Sequence, residues 1–322
     1  MVSLRQKLIY KKLIILSILA LLGVFVFAFY GINSNNFDFF MPMRITKILA
    51  ILIVSYCISY TAVIFQTITN NKILTPSIMG LDSLYLFIQT FVVFFYGAKK
   101  ITMLSDIKGF ITTVFLMVIA SIFLYILLFK GRNKNIYFLI LAGMVLGAFF
   151  KGLASFMQIL LDPNEFLVLQ GSMFASFNNI NFSLLGICIA ISLICFFVML
   201  FDFKKFDILN LGEEAAINLG IDYKFLVFKS LIIISVLISI STVLVGPVTF
   251  LGILVVSISR ELLKTYRHSY MSLGAFLISV ISLIYALFVV EKLLNFATTV
   301  SVIINFIGGI YFIYIVLKEA KR

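Results

Sequence analysis

The chain has 322 residues, 63% of them hydrophobic and 12% charged, with a mean hydropathy of +1.19. Soluble domains carry roughly 45–50% apolar and about 25% charged residues, so the composition excludes a soluble enzyme or binding module and defines a polytopic membrane protein. The formal charge of +12 is scattered over short connections with no groove-binding motif, which excludes nucleic acid as a partner.

A window of about 19 residues predicts ten membrane-spanning helices. They fall at 13–30, 45–68, 81–97, 109–129, 136–160, 182–201, 225–245, 249–263, 272–291 and 299–317. No polar block between them could fold alone, so residues 1–322 form a single all-α transmembrane domain. Helices are required because lipid cannot satisfy free backbone groups, and the segments lack the alternation of a barrel. The first span follows Arg5, Lys7, Lys11 and Lys12 without a small-x-small cleavage site, so it is kept as a span rather than a signal peptide.

Arg44 and Lys47 open the second span, and Gln66, Thr67, Thr69 and Asn70 make its far end polar. Thr75-Pro76 and Gly80 then interrupt the chain where backbone turns into a cavity, which is tolerated only under cover of protein or water. Gly143, Gly147 and Gly152 run along the fifth span at intervals that let helices approach closely. Lys151, ionisable and within or near the outer end of that span, is a functional candidate by position that could attract an anionic chelate, with snorkelling to the interface as the favoured alternative. The connection 161–179 predicts a short helix, the eighth span is the shortest, and Lys292 follows the ninth.

Cys57, Cys188 and Cys195 lie inside apolar spans without metal or redox spacing and are expected to be buried hydrophobes. His268, in "TYRHSY", is expected to be a solvated loop residue. The spans carry no evident chain of Asp, Glu or His, which argues against a proton-coupled carrier.

With the N-terminus inside, 18 of the 25 Lys and Arg residues fall on the inner side and 7 on the outer, so both termini are expected to be cytoplasmic. The longest inner connection, 202–224, holds "NLGEEAAINLGID". Gly212 and Gly220 bracket good helix formers, and Glu213 and Glu214 stand at the end where the helix dipole favours negative charge. This predicts a short helix with a small-residue face suited to a groove on another protein.

"LGEEAAINLGID" resembles the coupling loop of bacterial ABC importer permeases. "MRITKILAILIVSYCISYTAVIFQTITNNKILTPSIMGLDS", "LILAGMVLGAFFKGLASFMQILLDPNE", "LVGPVTFLGILVVSISRELLKTYRHSY" and "TTVSVIINFIGGIYFIYIVLK" are similar, in the same order, to segments of the FecCD-type family of iron-siderophore and vitamin B12 permeases. The resemblance implies a type II ABC importer permease fold of about ten spans in the bacterial cytoplasmic membrane. It implies partners as well: a second permease, two ATPase subunits that bind ATP and Mg²⁺, and an extracytoplasmic siderophore-binding protein. No cofactor is expected on this chain, and it contains no G-x-x-x-x-G-K-[ST] of its own.

Carried over residue by residue, the resemblance makes Gly212, Glu213, Ala216 and Gly220 the ATPase-coupling site. It makes Arg44, Lys47 and Lys292 docking cations for the binding protein. The pathway would be lined from Gln66, Thr69, Asn70, Pro76, Gly80, Gly143, Gly147 and Lys151.

Where the family often has a Pro-His pair in its eighth span, this chain has Val256 and Ser257, while Gly252 and Arg260 remain. That departure resembles the divergent permease of two-permease siderophore systems. It implies a heterodimer and a ferric, catecholate-type chelate as cargo, with vitamin B12 or heme as alternatives. An intramembrane enzyme is disfavoured by the absence of HExxH and GxSxG; a secondary transporter is the remaining alternative class.

Overall fold

The computed structural model describes residues 2–31, 36–97, 107–129, 136–178 and 180–320. In chain order the helices are α1 (Val2–Phe29), α2 (Phe37–Ile68), α3 (Leu81–Tyr96), α4 (Ile107–Phe129), α5 (Ile136–Ile159), α6 (Pro163–Met173) and α7 (Phe182–Leu200). They continue as α8 (Phe203–Leu209), α9 (Glu213–Asn218), α10 (Tyr223–Val245), α11 (Leu251–Leu263), α12 (His268–Lys292) and α13 (Val300–Ala320). A 3₁₀ turn, Pro76–Met79, precedes α3. Each of the ten predicted spans is a helix, and α6, α8 and α9 are short additions. Among the described residues, six helices, α1, α2, α5, α7, α10 and α12, are long and apolar enough to cross a membrane by length and composition.

Several helices outrun their predicted spans. α1 begins at Val2 instead of 13, α2 at Phe37 instead of 45, and α12 at His268 instead of 272. For α1 a hydropathy window sees only the lipid-matched portion, whereas Leu, Arg, Gln and Lys continue the helix beyond it. α11, by contrast, has 13 residues and spans about 20 Å, short of a hydrocarbon core of about 30 Å. The chain leading into it, from Gly246 to Thr249, is not helical, and the segment after α6 covers it. A Cβ on Gly246 would lie 2.9 Å from Ala175 Cα, and Ser176 N donates to Val245 O at 2.9 Å. Irregular backbone at this depth is thereby sheltered by protein.

α2 is the hub, packed by α10, α11 and α12. Two of its buried hydroxyls turn back on their own helix: Ser59 Oγ donates to Ser55 O and Thr61 Oγ1 to Cys57 O, each at 2.6 Å. Side chains satisfied in this way can sit in an apolar interior without a partner helix. α3 and α5 pair with each other, α1 lies on α12, and α13 on α11 and α12. All three cysteines are buried and free.

Candidate functional site

The connection 202–224 folds as a pair of short helices fastened at its start. Asp202, 1% exposed, accepts from Lys205 Nζ at 2.7 Å and from Lys229 Nζ, on α10, at 2.6 Å. Burial alone would raise its pKa, but the two ammonium groups outweigh that and hold it below the usual carboxylate value. Gly212, at φ +103°, turns the chain from α8 into α9, and Gly220, at φ +81°, turns it out again. A Cβ on either would meet open space within this chain, so it is the backbone angle that calls for glycine.

The small-residue face of α9 points the opposite way from expectation. Ala216 is 0% exposed and packs into the buried core, which anchors α9 to the body, while its carbonyl accepts from Ile221 N at 3.0 Å and closes the end of the helix. Leu211, Ile217 and Leu219 are exposed instead, beside Glu213 and Glu214. An apolar, acid-edged ridge therefore projects from this end of the molecule, and Ala216 supports it from behind. Six residues are too few to bury both faces, and the shape of the underlying helices decides which one goes in.

Just behind the ridge lies a buried polar chain that corrects the expectation for His268. This residue is 0% exposed and opens α12. Asp207 Oδ1, on α8, accepts from His268 N and from His268 Nδ1, both at 2.7 Å. His268 Nε2 lies 2.7 Å from Thr67 Oγ1 on α2. One turn away, Arg260 Nη2 of α11 donates to Gln66 Oε1 at 2.9 Å. Thr69 Oγ1 donates to Phe65 O at 2.7 Å, and Asn70, at φ +45°, ends the helix. Gln66 and Thr69 are thus buried at the foot of α2 and only Asn70 is exposed. The spacing of Asp207, His268 and Thr67 along the chain gave no signal of this contact.

Three of the glycine candidates do come together. The turn begun by Pro76 ends at Gly80, φ +82°, against the middle of α5: a Cβ there would lie 2.6 Å from Gly147 Cα and 3.0 Å from Gly143 O. Gly80, Gly143 and Gly147 are therefore a backbone-to-backbone contact. Lys151, one turn beyond Gly147, is exposed on α5 near Phe149 and Phe156, and a Cβ on Gly152 would meet nothing.

Beside this contact, Asp82 in the first turn of α3 is held by the hydroxyls of Ser77, Thr242 and Thr249, the last at 3.4 Å. An acid therefore lies within the bundle, with hydroxyl partners rather than a chain of other Asp, Glu or His side chains. Its place at the very start of the third span concealed it. Among the described residues no group of three or more His, Cys, Asp or Glu side chains could hold a metal ion.

Arg44, Lys47 and Lys292 gather at the opposite end from α9, but the first two are committed internally. Arg44, 8% exposed, gives Nη1 to Phe27 O at 2.8 Å and Ala28 O at 3.0 Å, closing the C-terminus of α1. Lys47 pairs with Glu291 and donates to Asn178 Oδ1 at 3.0 Å. Lys292 is exposed, its Nζ 6.0 Å from the centre of the Tyr30 ring.

A bundle with a hub helix, a re-entrant turn between its second and third spans and a paired-helix projection at one end defines the type II ABC importer permease fold. It is similar to an inward-facing structure of a metal-chelate-type ABC transporter, with a TM-score of 0.82 at 20% identity over 98% of this chain and 99% of that one. The chain belongs to the FecCD transport family, whose model matches residues 8–318. It is 51% identical over 310 residues to the petrobactin import system permease protein YclO of Bacillus subtilis (strain 168), covering 96% of this chain and 98% of the relative. The petrobactin import system permease protein YclN of the same organism is 26% identical over 324 residues, 95% of this chain and 96% of the relative.

Proposed function

We propose that this chain is the membrane-spanning subunit of an ABC importer that moves a ferric siderophore of the catecholate class, petrobactin or a close analogue, into the cytoplasm. The observation that carries the reading is the 51% identity along nearly the whole chain to a petrobactin import permease. The exposed ridge of Leu211, Ile217 and Leu219, flanked by Glu213 and Glu214, suits docking to a cytoplasmic ATPase through apolar contact with a basic rim. ATP and Mg²⁺ then belong to that ATPase, the α8–α9 end and both termini are cytoplasmic, and Lys292 faces an extracytoplasmic binding protein.

The second permease is a different chain. Two petrobactin permeases of one Bacillus match this sequence at 51% and 26% identity, so a system of this kind has room for two unlike subunits. Lys151 and the apolar residues around it, exposed on α5, would face that partner across the pathway, where the cation attracts an anionic chelate. Uptake of radioactive iron as ferric petrobactin into proteoliposomes tests the whole reading. Uptake is expected to need this chain, the sister permease, the ATPase with ATP and the loaded binding protein together. Uptake by this chain alone without ATP would overturn it in favour of a secondary carrier.

A further inference from the structure

We infer that the buried chain Asp207–His268–Thr67 is the joint through which displacement of α8 and α9 reaches the hub helix α2. His268 is thereby a positioning residue for energy coupling. The inference rests on the coupling reading of α9 and adds the route by which movement leaves it.

The geometry is that of a clasp. A single carboxylate oxygen on α8 takes both the backbone N–H and the ring Nδ1–H of His268, each at 2.7 Å, and so grips the first residue of α12 at two points. With Nδ1 committed to Asp207, Nε2 lies 2.7 Å from the Thr67 hydroxyl, which also reaches Val63 O of its own helix at 3.0 Å. His268 is 0% exposed and has no water to exchange for a lost partner, whereas Thr67 keeps Val63 O of its own helix and Asp207 is partly exposed. Breaking either link strands a buried polar group, and the three side chains move as a unit.

What lies beyond Thr67 gives the clasp a destination. α2 ends one residue later and its chain runs directly to the turn Pro76–Met79 and to Gly80, whose backbone lies on Gly147 in the middle of α5. The fastening at Asp202 runs sideways to α10, whereas Asp207–His268–Thr67 runs to the helix that leads into the bundle. Asp207 also caps the start of α12, and a histidine with both ring nitrogens engaged offers none to a metal or a cargo.

The test uses the reconstituted complex of this chain with its sister permease, ATPase and binding protein, reading iron imported per ATP hydrolysed and the quantity of assembled complex. Thr67→Val, which removes the hydroxyl that links His268 to α2 together with its bond to Val63 O, is expected to lower the ratio at least about fivefold, within the usual range of inter-site coupling. Thr67→Ser, which keeps the hydroxyl, restores it. His268→Asn, which can still reach Asp207 but not Thr67, behaves as Thr67→Val.

A normal ratio in Thr67→Val and His268→Asn overturns the inference. So does loss of assembly in both with Thr67→Ser intact, since that is a structural role alone. Ile217→Glu, run in parallel, separates the two ideas: if it leaves the ratio and ATPase attachment untouched, the coupling reading of α9 itself has failed.

Discussion

At the scale of single residues, the charges that hold the α8–α9 end together are local and testable. The folded pKa of Asp202 is depressed, so its contribution to fastening α8 is complete above the ordinary carboxylate pKa of about 4 and lost as pH falls through the lower folded value. Asp202→Asn removes the contribution at every pH. Amide exchange across 203–209 is expected to be faster in that variant at neutral pH, and equal exchange rates would show that the ion pairs are incidental. Gly147 gives a steric counterpart. A Cβ there would already lie 2.8 Å from Gly80 Cα, so Gly147→Val should cost about 1–3 kcal/mol by overpacking. Gly152→Ala, facing open space, should leave the thermal midpoint in detergent where it is; an equal fall in both variants would refute the contact.

At the scale of elements, the amphipathic direction of α9 decides how the permease presents itself. Ile217→Glu places a charge in the middle of the exposed apolar ridge and is expected to reduce ATPase attachment at least about tenfold, the effect of a buried interface residue worth more than 1 kcal/mol. Ala216→Arg acts differently, forcing a long cation into a fully buried site, and should lower the yield of folded permease rather than only its binding. This contrast also marks what sequence could reveal. Helices at all ten predicted positions were legible because lipid demands continuous apolar helices, and the acidic, glycine-bracketed connection was legible because it breaks that rule. Which face of a six-residue helix turns inward was not, since both faces hold small or apolar residues. Nor were the partners of His268: Thr67 lies 201 residues away and Asp207 61, and only the crossing of α2, α8 and α12 brings them together. Asp82 was missed for a related reason, because a carboxylate at a predicted span edge looks solvated until the re-entrant turn carries it inside.

At the scale of the whole molecule, the end of the bundle remote from α9 tests how a binding protein would be recognised. Arg44, Lys47 and Lys292 are close neighbours there, yet only Lys292 presents its charge outward. Arg44 closes α1 and Lys47 answers Glu291, so their removal should show up in stability: Arg44→Met leaves the Phe27 and Ala28 carbonyls without their donor, and Lys47→Met leaves Glu291 unpaired. Lys292→Glu should leave folding intact and instead slow association with the binding protein about tenfold at low ionic strength, as expected for a steering charge. The difference from the native chain should shrink towards nothing near about 1 M salt, where the Debye length is only about 3 Å. Stopped-flow association across a salt series distinguishes the roles. An unchanged rate for Lys292→Glu at low salt would reject docking through this residue and leave Tyr30 as its only established contact, whereas a salt-dependent loss would place binding-protein recognition on this end of the bundle, opposite the α9 ridge.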